Sequence, residues 1–225
     1  MPINIPPILT ALEELKDKTK KRNFVQSIDL SIRVKDVDLK QPKNRINAEV
    51  FLPHEVEKDR KICVVGSGDL GIRAKNMGLE VLDKSELGKL KNDKKQAKKY
   101  VKGVDVFIAG VDLMPELAKS LGPVLGPTGK MPLGPPKGRG IIPPNTDLNP
   151  IVEAYKKMVR IRLRKTLVMN CKVGTENMTP QQLAENIQSV ANYLEDQLEN
   201  GLRNIANIRI KTTMGPSIRL GVKVG

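Results

Sequence analysis

Ile8, Leu12 and Leu15 recur at helical spacing behind Pro7, a residue suited to a first helical turn, and predict a helix running to about Arg22. Ile28, Leu30, Ile32 and Val34 then alternate with Ser27, Asp29, Ser31 and Arg33, the pattern of a half-buried strand. A polar stretch over 35–45 leads to a second strand around 48–52, closed by Pro53. From Lys61 the pattern changes. Short apolar runs at 62–65, 79–82 and 104–109 are separated by a glycine turn with a brief helix and by a lysine-rich helix. Asp112 is placed to cap a further helix over 113–121. Such alternation predicts a small parallel sheet. The stretch 122–144 is dense in Gly and Pro and predicts no regular structure.

After Asn149-Pro150, a cap-and-start pair, a short helix leads to Val159, Ile161 and Leu163, which alternate with Arg160, Arg162 and Arg164. Thr179-Pro180-Gln181-Gln182 is a capping box, followed by the helical stripe Leu183, Ile187, Val190, Leu194 and Leu198, with Gly201 as its stop. In the last strand Arg209, Lys211 and Thr213 share one face. The order α+β, βα, α+β predicts a mixed α+β and α/β chain of two domains. Residues 1–60 with 156–225 form an α+β domain from both chain ends, and 61–155 form an inserted, Rossmann-like parallel-sheet domain.

Composition narrows the function. Lys and Arg number 39 against 25 Asp and Glu, a formal charge of +14, with one histidine, two cysteines and no tryptophan. A metal site would need mostly carboxylate ligands, and a histidine base has one candidate, His54, so neither a metal nor a cofactor is expected. Cysteine usage fits a reducing, intracellular setting, the start reads as neither signal nor transit peptide, and no apolar run approaches the roughly 20 residues of a membrane span. The charge points to a polyanion. It is uneven: +2 over 1–60, +6 over 61–149 and +6 over 150–225. In the middle segment most of it lies in 89–99, where a lysine-rich helix reads most simply as a solvated face. The row Arg160, Arg162 and Arg164, extended by Lys165, needs an anion to neutralise it. Carboxylates across the sheet are one source and a phosphate backbone, suited to arginine's flat donor fork, is the other.

Gly66-Ser67-Gly68-Asp69-Leu70-Gly71 follows a strand and precedes a helix, so a dinucleotide-dependent enzyme is the alternative reading. Against it, Asp83 lies 12 residues beyond Gly71, where the ribose-binding acid stands about 20 on. Gly129-Lys130 fails as a phosphate loop, since Val124 and Met131 break the motif. The six aromatic residues are scattered, so RNA recognition by base stacking finds no support; backbone, 2′-OH and shape are what remain. Read locally, Thr213-Met214-Gly215-Pro216 is a strand-ending turn.

Two segments carry a family resemblance, 113–132 (LMPELAKSLGPVLGPTGKMP) and 211–219 (KTTMGPSIR). Both resemble the universal large-subunit ribosomal protein L-one family, the protein of the mobile stalk, and the early start and Pro-rich middle are similar to its archaeal members. The resemblance covers nearly the whole chain and implies a two-domain, non-enzymatic protein of the cytoplasmic ribosome. It implies binding to stalk-region ribosomal RNA of the large subunit, guidance of deacylated exit-site tRNA, and repression of the chain's own mRNA. It implies no small-molecule substrate, no membrane partner and a monomer when free. Carried over by position, the RNA contacts are Phe24, Ser27, Asn170, Lys172, Thr213, Met214 and Gly215. Asn170 stands where family members often have histidine. Neighbouring Arg160, Arg162, Arg164, Lys165, Lys211 and Ser217 complete the expected surface. Here Thr213 would offer a hydroxyl to a 2′-OH, Met214 an apolar contact, and Gly215 its own N–H. Valine at 213 or 215 is expected to weaken binding with the fold intact.

Overall fold

The computed structural model describes residues 5–56 and 60–221. The chain divides into two compact units, Met1–Lys58 with Lys157–Gly225, and Asp59–Lys156.

The first unit opens on helix α1 (Ile5–Lys18), whose Ile8, Leu12 and Leu15 are buried as their spacing predicts. It ends four residues short of Arg22, where the Thr19 hydroxyl donates to the Leu15 carbonyl at 2.5 Å and closes the last turn. Strand β1 (Ser27–Val34) buries every second residue, and β2 (Ile46–Phe51) follows.

The second unit then forms. Strand β3 (Ile62–Val65) leads through α2 (Gly68–Asn76) to β4 (Glu80–Leu82), and helices α3 (Lys84–Asn92) and α4 (Lys94–Gly103) lead to β5 (Val106–Gly110). Helices α5 (Met114–Ser120) and α6 (Gly122–Thr128) precede β6 (Ile141–Ile142), and α7 (Asn149–Lys156) closes the unit. The sheet is parallel, in the order β4-β3-β5-β6. Cys63, Val65, Phe107 and Ala109 on one of its faces join a core with Leu87, Leu90, Val101, Leu117 and Leu125 from α3 to α6.

Three expectations fail here, each for a local reason. The lysine-rich segment is two helices, because the Asp93 carboxylate accepts from the amides of Lys95 and Gln96 and starts α4 afresh. Asp112 caps nothing; α5 begins behind Leu113 without a side-chain cap, with Pro115 in its first turn. The Gly/Pro stretch does contain regular structure. Pro123 sits in the first turn of α6, where no helical N–H is owed, and Gly129 ends the helix at φ +72°. Lys130 donates its ammonium to the carbonyls of Val101 (2.9 Å) and Val104, satisfying the end of α4.

The chain returns to the first unit through β7 (Met158–Leu163), β8 (Val168–Thr175), α8 (Pro180–Gln197), β9 (Ile205–Thr212) and β10 (Ser217–Arg219). The predicted capping box forms: the Gln182 amide donates to the Thr179 hydroxyl at 3.3 Å, and the Thr179 amide to the Gln182 side chain at 3.1 Å. Helix α8 stops at Gln197, and Gly201 takes φ +55° in the turn beyond. An antiparallel sheet runs β10-β9-β1-β8, and β2 pairs with β7 in a separate antiparallel pair. Ile28, Leu30, Ile32, Ile208 and Ile210 pack with α1 and α8 in one core, so among the described residues of this unit both helices lie on one face of the four-stranded sheet and leave its other face open.

Candidate nucleic-acid interface

Strand register assembles that open face. Ser27 and Thr213 lie at one end: the Thr213 amide donates to the Ser27 carbonyl at 3.0 Å, and the Ser27 amide to the Thr213 hydroxyl at 3.1 Å. Next come Ser217, Lys211, Asp29 and Lys172 abreast, then Arg219, Arg209, Ser31 and Asn170, then Asn207, Arg33 and Val168. Residues two apart on a strand share a face, so these side chains form one surface about 20 Å long. It carries five basic groups (Arg33, Lys172, Arg209, Lys211, Arg219) against the single carboxylate of Asp29.

The closing turn stands at the Ser27 end. Met214 is 63% exposed and Phe24 51%, two large apolar side chains left in solvent, with Val25 beside Phe24 equally open at 52%. Gln26 holds the turn at Met214 from a fully buried position. Its side-chain oxygen accepts from the Met214 amide (3.2 Å), and its amide nitrogen donates to the Lys20 carbonyl (3.2 Å) and to Glu176 (3.3 Å). Glu176 also accepts from the Gln26 backbone amide at 3.0 Å. A lone glutamine in a polar stretch gives no periodic signal, so only the fold reveals it.

Two expected roles are corrected. The Gly215 amide donates to the Thr212 carbonyl at 3.2 Å, so it closes a tight turn rather than facing a ligand. A Cβ at 215 would meet the Thr212 hydroxyl at 2.1 Å and the Thr19 hydroxyl at 3.1 Å, so valine there disturbs the fold instead of leaving it intact. The Thr213 hydroxyl is engaged by Ser27 on both sides, accepting from its amide at 3.1 Å and donating to its carbonyl at 3.4 Å, so a ligand would share it rather than find it free.

The arginine row also separates. Arg160 faces Glu49 across the β2–β7 pair and forms an ion pair with it; the Glu49 side chain is 1% exposed and that of Arg160 17%. The structural carboxylate weighed above is therefore present. Arg162 stands opposite Asn47, and burial, then the neighbouring guanidinium groups of Arg160 and Arg164, pull its pKa down. Arg164 and Lys165 are exposed in the turn before β8. That turn lies at the Val34 end of β1, since the Val34 amide donates to the Leu167 carbonyl, and so at the far end of the sheet from Thr213. The row does not neighbour the closing turn.

In the second unit the glycines of 66–71 have packing roles. A Cβ on Gly66 would meet the Leu70 side chain at 2.7 Å, and one on Gly71 the Gly66 carbonyl at 3.2 Å. They bring α2 close to β3, and the cleft beside them, about 380 Å³, is open and shallow. Among the described residues no group of three or more His, Cys, Asp or Glu is arranged to hold a metal, and no helix is long and apolar enough to cross a membrane.

A basic sheet face ended by an apolar turn suits a polyanion. The chain belongs to the ribosomal protein L1p/L10e family, whose profile matches residues 15–216. Its archaeal relatives carry the name large ribosomal subunit protein uL1. That of Pyrococcus horikoshii is 43% identical over 214 residues, 95% of this chain and 94% of the relative. That of Pyrococcus abyssi is 41% identical over 221 residues, 98% of each. The protein of Methanothermococcus thermolithotrophicus is 42% identical over 213 residues, 95% of this chain and 97% of its own.

Proposed function

We propose that the chain is a non-catalytic structural component of the large subunit of the cytoplasmic ribosome, binding folded stalk-region ribosomal RNA through the open face of its four-stranded sheet. The observation that carries this reading is the face itself: five basic groups and one acid in register, closed by exposed Phe24 and Met214. The bases supply phosphate contacts, and Ser27, Ser31, Asn170, Thr213 and Ser217 supply short polar groups for 2′-OH and phosphate oxygens. Of the expected contacts, Phe24, Asn170, Lys172, Lys211, Thr213, Met214 and Ser217 act directly. Gly215 acts by shaping the turn, and Arg160 is a structural partner of Glu49. Arg162, Arg164 and Lys165 form a separate basic area.

Guidance of deacylated tRNA at the exit site and repression of the chain's own mRNA belong to the same reading. Repression follows if the messenger folds into a copy of the ribosomal site, because one surface then serves both. Footprinting on large-subunit ribosomal RNA tests the core of this. Protection confined to one folded region is expected, and Phe24→Ala with Met214→Ala should lower affinity at least tenfold without changing the melting profile. Random RNA competing as well as the protected fragment would sink the reading.

A further inference from the structure

Helix α4 carries Lys95, Lys98, Lys99 and Lys102, all exposed, on an arc roughly 100° wide at 100° per residue. The helix contains no acidic residue. Four of the pairings among these lysines are at i,i+3 or i,i+4, where like charges oppose helix formation. The nearby acids are committed elsewhere. Asp93 and Asp83 cap helices, Glu116 pairs with Lys84, Glu80 accepts from Tyr100, and Asp105 accepts from the Lys61 amide. None of the four ammonium groups has a hydrogen-bond or ion-pair partner among the described residues. The helix tolerates the repulsion because Ala97 and Val101 anchor it in the core and both its ends are capped, by Asp93 and by Lys130.

We propose that this row is a second RNA contact, gripping the phosphodiester backbone of a double-helical RNA without reading its sequence. The inference rests on the RNA-binding reading above but uses a different unit of the chain. A duplex suits it better than a single strand, because α4 offers no ring for base stacking. Its one aromatic, Tyr100, lies 6.4 Å from Phe107 ring to ring and donates its hydroxyl to Glu80. Lysine suits it as well: a point charge on a flexible stem follows phosphates without demanding a fixed geometry.

The test uses full-length protein saturated with the stalk ribosomal RNA fragment, so that the sheet face is occupied. A labelled 20-base-pair RNA duplex of arbitrary sequence is then titrated at several salt concentrations. Wild type should bind it with a steep salt dependence, and K95Q/K98Q/K99Q/K102Q should lower the log–log slope by about 3 and the affinity by roughly tenfold or more. The four-arginine variant at the same positions should bind like wild type, and all variants should hold the stalk fragment within about twofold. Equal duplex binding by the glutamine variant and wild type, or no duplex binding by wild type, would overturn the proposal. So would displacement of the duplex by polyglutamate at equal charge, which would reassign the row to an acidic protein. Failure of wild type to hold the stalk fragment would instead count against the sheet face, and is read in a separate arm.

Discussion

At residue 215 the side chain that is missing matters more than any that is present. The 2.1 Å approach of a built Cβ to the Thr212 hydroxyl leaves only glycine room beside that nearly buried threonine, whose hydroxyl lies 3.2 Å from that of Thr19. Gly215→Ala should therefore cost about 1–3 kcal/mol by overpacking. Thr212→Ala removes the obstructing hydroxyl, so the double variant should be more stable than the sum of the single effects predicts. Chemical denaturation of the four proteins measures this cycle. Simple additivity would mean the turn yields by another route. RNA affinity should follow stability across the cycle, whereas Met214→Ala, on a side chain left in solvent, should reduce affinity alone. Adjacent positions of one motif thus separate into a shape-giving residue and a contact residue, a distinction the letters TMGP do not carry.

At the level of elements, the β2–β7 pair shows how a charged row is resolved. Removing the Glu49 carboxylate breaks a largely buried ion pair with the Arg160 guanidinium, and Glu49→Ala should destabilise the first unit by about 3–5 kcal/mol. Replacing both, as Glu49→Leu with Arg160→Met, should recover most of that loss, and affinity for ribosomal RNA should stay unchanged. A fall in affinity in the double variant would return Arg160 to the RNA surface. The alternation of Val159, Ile161 and Leu163 makes the strand legible in sequence, and it makes the shared face of the arginines legible too. What faces them is not, because pairing with β2 joins residues 111 positions apart. The same holds elsewhere. The period-two run at 28–34 and the capping box at 179–182 are local and read correctly. Gln26 gains its meaning from Glu176, 150 residues away, and from the turn at Met214. Asp93 is a local signal masked by the helical pattern of the lysines around it. Pro123 and Gly129 are compatible with a helix at its two ends, though their density argued against any helix at all.

Over the whole molecule, the formal charge of +14 is spread over separate surfaces. One is a sheet face whose bases stand among short polar groups, and another is a helix whose lysines stand alone. They belong to units whose cores share no residue: one gathers Leu30, Ile187 and Ile210, the other Phe107, Leu117 and Leu125. Separate cores predict separate cooperative transitions, since each unit buries its own apolar surface. Leu117→Ala should create a cavity costing about 2–5 kcal/mol in the second unit and lower one calorimetric transition. Affinity for the stalk fragment should be retained, because the sheet face lies wholly in the other unit. Ile210→Ala should lower the other transition and weaken the fragment with it, since Ile210 lies on β9 between Arg209 and Lys211 and packs beneath the face. If Leu117→Ala weakens the fragment as much as Ile210→Ala does, the sheet face is not a self-sufficient site and the second unit takes part in holding ribosomal RNA.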